Sequence, residues 1–326
     1  MATPHTGTPE SEHAVLVEGC GLLDRSARGK LALTGAGAVE FLNGQVTNEL
    51  AALQPGEGCY AAFLTHKGKM LGDMRVLAVG DDPASAPTEL LLDTERVALQ
   101  GLFDMIRRFK VGYDVELHKR TLECTLVSLI GPHADAVAGS SVLPAVEHAH
   151  LTQDLDGHPV RSVRTDLGVD LLFDSAALEP VLAALRARGA VPVSEDAAEC
   201  VRIEQGRPRY GVELDDTVIP QEAGLNERAV SFTKGCYVGQ ETVARLFYRG
   251  KPNRHLRGLL LSAPVSGDAE LRLGERPVGR LAESAASPTL GPIALALVRR
   301  EAGPGDTLAV GDGGVTATVV ELPFGS

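Results

Sequence analysis

Apolar residues recur at helical spacing in some segments of the chain and at strand spacing in others, and the two kinds alternate up to about residue 250. Val39, Leu42, Val46 and Leu50 predict a helix over 36–53. Residues 60–64 and 70–79 predict two strands. The connection Thr65-His66-Lys67-Gly68-Lys69 reads as a hairpin turn, with Gly68 supplying a positive φ. A short strand is expected at 90–92. Leu99, Leu102, Phe103 and Ile106 share one face of a helix over 96–108. Strands follow at 122–130 and 168–173, then a helix over 175–188 that stops at Gly189. The helix over 194–205 is better signalled. Ser194 can cap it, Glu195 and Asp196 complement its dipole, and Gly206 and Pro208 end it. Glu204 then falls in the last turn, where a carboxylate opposes the dipole. Either Arg202 or Arg207 neutralises it, or the misfit marks a functional position.

Gly250-Lys251-Pro252-Asn253 reads as a linker, and beyond it the pattern changes. Short strands at 258–261, 271–273, 278–281, 293–298, 307–310 and 315–320, separated by Gly and Pro, predict a small all-β barrel. The expected organisation is a polar disordered tail over 1–12, a mixed region over 13–250 and a barrel over 254–326.

The 326 residues suffice for roughly two domains of ~150 residues each. A net charge of −12 excludes general nucleic-acid binding, and with 4% aromatic residues and no tryptophan a base-stacking platform is not expected. The five cysteines, Cys20, Cys59, Cys124, Cys200 and Cys236, are odd in number and never spaced as CxxC. That argues against a disulfide framework, a zinc knuckle and a cluster held by this chain alone, and it suits reduced thiols in the cytoplasm. The N-terminal residues lack the basic and apolar regions of a signal peptide, and no apolar run approaches the ~20 residues of a membrane span.

No GxSxG elbow, HExxH or Walker A loop is present. Gly35-Ala36-Gly37 opens a predicted helix, but Glu40 stands where a dinucleotide loop needs its third glycine. Glu147-His148-Ala149-His150 follows Pro144 in an expected surface connection, solvent-exposed and without further ligand spacing, so no metal is assigned. The segment Lys234-Gly235-Cys236-Tyr237-Val238-Gly239-Gln240-Glu241 is more pointed. It sets a thiol beside a cation and ahead of a helix N-terminus, a setting that favours the thiolate. The helix from Gln240 buries Val243, Leu246 and Phe247 and carries Arg245 and Arg249 on another face. From Thr242 to Gly267 there is no acidic residue, whereas Arg245, Arg249, Lys251, Arg254 and Arg257 are all present, which points to an anion site.

The 234–241 segment resembles the signature of the YgfZ-type folate-binding proteins, relatives of the aminomethyltransferase (T-protein) of the glycine cleavage system. Arg202-Ile203-Glu204-Gln205-Gly206, Tyr210-Gly211 and the 219–225 stretch are similar to the family's central block, in the same order. Phe41-Leu42-Asn43-Gly44-Gln45-Val46-Thr47 and Lys67-Gly68-Lys69-Met70 match near the N-terminus, and the end of the chain resembles the T-protein barrel.

The resemblance implies an α+β, three-lobed aminomethyltransferase-like fold with a C-terminal β-barrel and a channel for tetrahydrofolate or a one-carbon derivative. It implies Glu204 as pterin anchor and Asp73 as a carboxylate acting on a folate amine. Charge adds Lys234, Arg245 and Arg249 as partners for the folate tail, and Cys236 as a redox or transfer thiol. The expected function is tetrahydrofolate-dependent support of iron–sulfur cluster synthesis or repair, with client enzymes, tRNA-modifying ones among them, or assembly proteins as partners. Two alternatives stand beside it: a folate-dependent aminomethyltransferase or methyltransferase, and a non-enzymatic folate-sensing adaptor.

Overall fold

A computed structural model describes residues 7–325 of the chain. Two sheets and a closed barrel account for its strands. One sheet has five antiparallel strands in the order Gly58–Leu64, Met70–Val79, Glu89–Thr94, Gly29–Thr34, Glu116–Lys119. The other has six: Val191–Pro192, Gly21–Asp24, Cys124–Ile130, Gly168–Asp174, His158–Arg164 and His150–Leu155. Its first pair is parallel and the rest are antiparallel. The sheets meet where Leu77 packs with Leu126, Val163 and Leu172. A central strand buried on both faces needs apolar residues at both parities, and Met70–Val79 supplies them except at two positions, Asp73 and Arg75.

The barrel is a six-stranded ring closed by pairing Arg254–Leu261 with Val315–Val320. Strand alternation divides its residues. Along Gly291–Arg299, Ala294, Ala296 and Val298 fill the barrel, while Ile293, Leu295 and Leu297 face outward onto Ile203, Leu214, Tyr237 and Val243. The barrel is thereby fastened to the helix Glu195–Glu204 and to the cysteine segment by apolar contact. Among the described residues, no helix is long and apolar enough to cross a membrane.

Two local expectations fail for tertiary reasons. Residues 1–6 of the expected tail lie outside the described residues, but Pro9–Glu18 is a helix capped by Thr8. Glu12 is buried, and its carboxylate accepts the Ser194 backbone N–H at 2.9 Å and the Ser194 hydroxyl. Each helix thus helps to tie down the other. The predicted 36–53 helix is cut to Ala38–Asn43. Lys234 explains the cut, because its buried ammonium gathers the carbonyls of Asn43, Val46 and Asn48 (2.7, 2.9 and 2.5 Å) and Asn43 Oδ1 (3.0 Å). A helix would aim those carbonyls along its own axis. Three N–H donors shared among these four oxygens outweigh the few tenths of a kcal/mol by which helix propensities differ between ordinary residues.

Candidate functional site: a charged cavity between the sheets

A cavity of about 210 Å³ opens where the two sheets meet the 208–210 loop. Its walls follow from strand register. Tyr60 pairs with Arg75, and Arg75 pairs with Asp93 on the next strand. Asp73 lies two residues from Arg75 and therefore on the same face. Tyr60 Oη donates to Asp73 Oδ2 at 2.6 Å. Arg75 donates to Asp93 Oδ2 at 2.9 Å and, across to the other sheet, to Asp170 Oδ2 at 2.7 Å. Ser128 Oγ donates to Asp170 Oδ1 at 2.6 Å. Arg28 completes the wall by holding Asp93 at 2.8 Å, together with Glu95.

Burial sets the protonation here. Desolvation pushes the Asp73 carboxyl up to about 6, with Glu95 and Asp93 adding to it and the Tyr60 hydroxyl and Arg28 opposing. Burial and the neighbouring Asp73 raise Tyr60 well above its ordinary value, so it stays a donor. Asp93 goes the other way. Burial alone would raise it, but Arg28 and Arg75 hold it below the usual carboxylate range. The cavity therefore contains one carboxylate kept ionised by arginines and another that titrates near neutrality, as acid–base work requires.

His148 faces the same space and was expected to be solvent-exposed. It is instead largely buried, and burial with Arg75 and Arg228 lowers it to about 3, leaving it neutral. Its backbone adopts φ 71°, a left-handed conformation unusual for a side-chain-bearing residue. Its Nδ1 and the Nε of Arg75 are buried without partners among the described residues. Glu147 also lines the cavity and pairs with Arg228, whose guanidinium lies 5.5 Å from the Tyr60 ring centroid. His150 is buried beside Arg161 on an edge strand.

Of the residues proposed from the sequence as catalytic or folate-binding, Asp73 lines this cavity, whereas Glu204, Lys234, Cys236, Arg245 and Arg249 do not. Lys234 is no free cation for a folate tail. Its ammonium is consumed by residues 43–48, and burial draws it down to about 8. That geometry also removes the cation expected to activate Cys236. Cys236 is exposed and, among the described residues, has no hydrogen-bond or ionic partner. Arg245 and Arg249 are exposed on Gln240–Arg249, outside the cavity wall and unpaired within the described residues. Phe247, expected to be buried, is exposed and stacks on Phe232 at 3.8 Å. Gly239 shows why the segment bends as it does. At φ 87° a Cβ there would sit 2.6 Å from the Thr65 carbonyl oxygen, so the hairpin turn and this segment can touch only through glycine.

Glu204 lies at a separate junction. His13 Nε2 is 3.0 Å from both of its carboxylate oxygens, and Ser287 Oγ donates to Oε1 at 2.6 Å. Neither expected arginine reaches it, since Arg202 pairs with Glu199 and Glu213, and Arg207 with Asp166. Sequence reasoning missed Tyr60, Arg75, Asp93, Asp170 and His148. Asp73, Arg75 and Asp170 did leave a trace, as charges inside otherwise apolar strands.

Fold and cavity together give a protein of two sheets and a barrel, with a carboxyl raised to about 6 facing a charged cavity. The chain belongs to the glycine cleavage T-protein family. Residues 4–234 match the GCVT N-terminal domain, and residues 254–325 match the glycine cleavage T-protein C-terminal barrel domain. Its relatives include a chloroplastic protein of Arabidopsis thaliana named as a transferase, 28% identical over 93% of this chain and 71% of that one. An aminomethyltransferase of Streptomyces avermitilis is 30% identical over 90% of this chain and 82% of its own length. The solved glycine cleavage aminomethyltransferase T of Bartonella henselae superposes with a TM-score of 0.86 at 21% identity, covering 99% of this chain and 91% of that one.

Proposed function

We propose that this chain binds a reduced folate in the charged cavity and transfers a one-carbon unit to or from it, in the manner of an aminomethyltransferase or methyltransferase. The observation that carries the reading is Asp73: buried, held by Tyr60 and raised to about 6 at the cavity wall. The names of the relatives support the same class.

The residues present fit a pterin. Such a ring carries donors and acceptors along one edge, and the wall offers the Asp73 and Asp170 carboxylates together with the unpartnered Arg75 Nε and His148 Nδ1. A volume of about 210 Å³ suits a bicyclic ring, with the tail left to the mouth, where Arg25, Arg209 and Arg228 are partly exposed. A bound folate supplies a nucleophilic nitrogen and carries the one-carbon unit. Asp73 would accept the proton of that amine, with Tyr60 holding the carboxylate in place and Arg75 holding Asp170 at the cavity wall. Calorimetry with tetrahydrofolate on the wild type, with turnover of an aminomethylated carrier, tests this. Binding retained and turnover lost in Asp73→Asn is the expected result. No binding by the wild type overturns it.

A second reading is favoured by the exposed thiol of Cys236, which has no partner among the described residues and precedes a helix, Gln240–Arg249, that carries exposed Arg245, Phe247, Tyr248 and Arg249. It is the YgfZ-type role, in which this thiol acts in synthesis or repair of iron–sulfur clusters in client enzymes. Cys236→Ala should then lower iron–sulfur enzyme activity in cells without changing folate affinity. Unchanged client activity removes this reading and leaves the first intact.

A further inference from the structure

We propose that His13, Cys200 and Glu204 form a binding site for a zinc-class divalent cation, with three protein ligands and a fourth position open to the adjoining cavity. The site lies apart from the charged cavity, and the inference does not rest on the folate reading.

The three side chains come from two helices, Pro9–Glu18 and Glu195–Glu204, and their donor atoms all lie within 4.8 Å of one another. Cys200 and Glu204 are four apart on one helix, so both project to the same side, the spacing by which a helix offers two ligands to one metal. Bond lengths to zinc of about 2.0–2.3 Å place tetrahedral ligands roughly 3.3–3.7 Å from each other. The observed separations bracket that span, at 3.0 Å from His13 Nε2 to Glu204 and 3.7 Å from Cys200 Sγ to Glu204. Imidazole with thiolate is a donor set that suits zinc.

Two further features are those of a built site. Ser287, from the barrel strand Arg276–Ser287, donates to the Glu204 carboxylate, as hydrogen bonds behind a ligating carboxylate do. His13 and Cys200 also line a cavity of about 430 Å³ that can admit water or another ligand to the fourth position. The cation would fasten three parts of the chain at one point, namely the N-terminal helix, the central helix and the barrel. Binding displaces the thiol proton from Cys200 Sγ to solvent.

Cobalt(II) titration of the full, chelator-treated chain tests the site, with zinc as competitor. One equivalent should produce a thiolate-to-cobalt charge-transfer band that zinc abolishes. The band should vanish in Cys200→Ser and persist in Cys236→Ser. Should Cys200→Ser fail to fold, His13→Ala is expected to weaken zinc binding measured by calorimetry by at least about tenfold, and Ser287→Ala by about tenfold. No band on the wild type overturns the proposal, and so does a band that follows Cys236 instead of Cys200.

Discussion

The charged cavity and the 234–241 segment are built on opposite logic. In the cavity, charges from distant strands converge on open space, and one carboxylate is left to titrate near neutrality. In the segment, the charge is spent internally. Lys234 is the bracket that closes residues 43–48, Gly239 lets the hairpin turn approach, and the Cys236 thiol is left exposed. The more recognisable of the two regions therefore spends Lys234 and Gly239 on architecture, and the less recognisable one gathers the carboxylates and arginines of the cavity. A sequence signature marks positions where substitution is structurally costly as readily as positions where bonds are made.

The sharpest way to break this contrast is kinetic. Asp73→Asn should slow one-carbon transfer by about 10²–10⁴-fold, the usual range for a general acid–base group, whereas Cys236→Ser should change it less than about twofold. If Cys236→Ser has the larger effect on transfer, the assignment of the two regions reverses. The pH profile sharpens the same point. With Asp73 raised to about 6, the wild-type rate should climb as pH rises through that value and then level off. The sign for stability is opposite. A carboxyl whose folded value lies above its unfolded 3.8 takes up a proton on folding, so its contribution is present below that window and is lost as pH rises through about 6.

Next in size is Lys234→Met. Removing a buried cation that satisfies three carbonyls should cost about 3 kcal/mol, read from denaturant midpoints at unchanged slope. A loss below about 0.5 kcal/mol, with folate affinity reduced, would return Lys234 to the ligand. The smallest expected effect separates two carboxylates. Asp170→Asn unpairs one side of Arg75 and should weaken tetrahydrofolate binding about tenfold. Glu204→Gln should leave that affinity within about twofold, and a larger loss there would restore Glu204 as the pterin anchor.

Legibility tracked the range of the signal. The helix Glu195–Glu204 was readable because its cap, acidic first turn and terminating glycine all lie within a dozen residues. The barrel was readable because alternation and turn residues recur every few positions. The 36–53 helix was misread because its periodicity is real but a lysine 191 positions away from Asn43 claims its carbonyls. His148 was misread because nothing local distinguishes a cavity wall from a surface loop. The N-terminal helix was misread because its polar residues, Glu12 and His13, find their partners only at Ser194 and Glu204.

By itself the sequence determined the mixed helix-and-strand region, the change to a barrel beyond it and the kinship with the T-protein family. Those are properties of local periodicity, turn chemistry and residue type. Only the tertiary structure decided which charges share a space. Arg75 meets Asp170 across 95 positions and two sheets, and Glu204 meets His13 across 191. The reason is physical. Register and packing between distant elements set those meetings, and burial there decides whether a carboxylate is held ionised or titrates near neutrality.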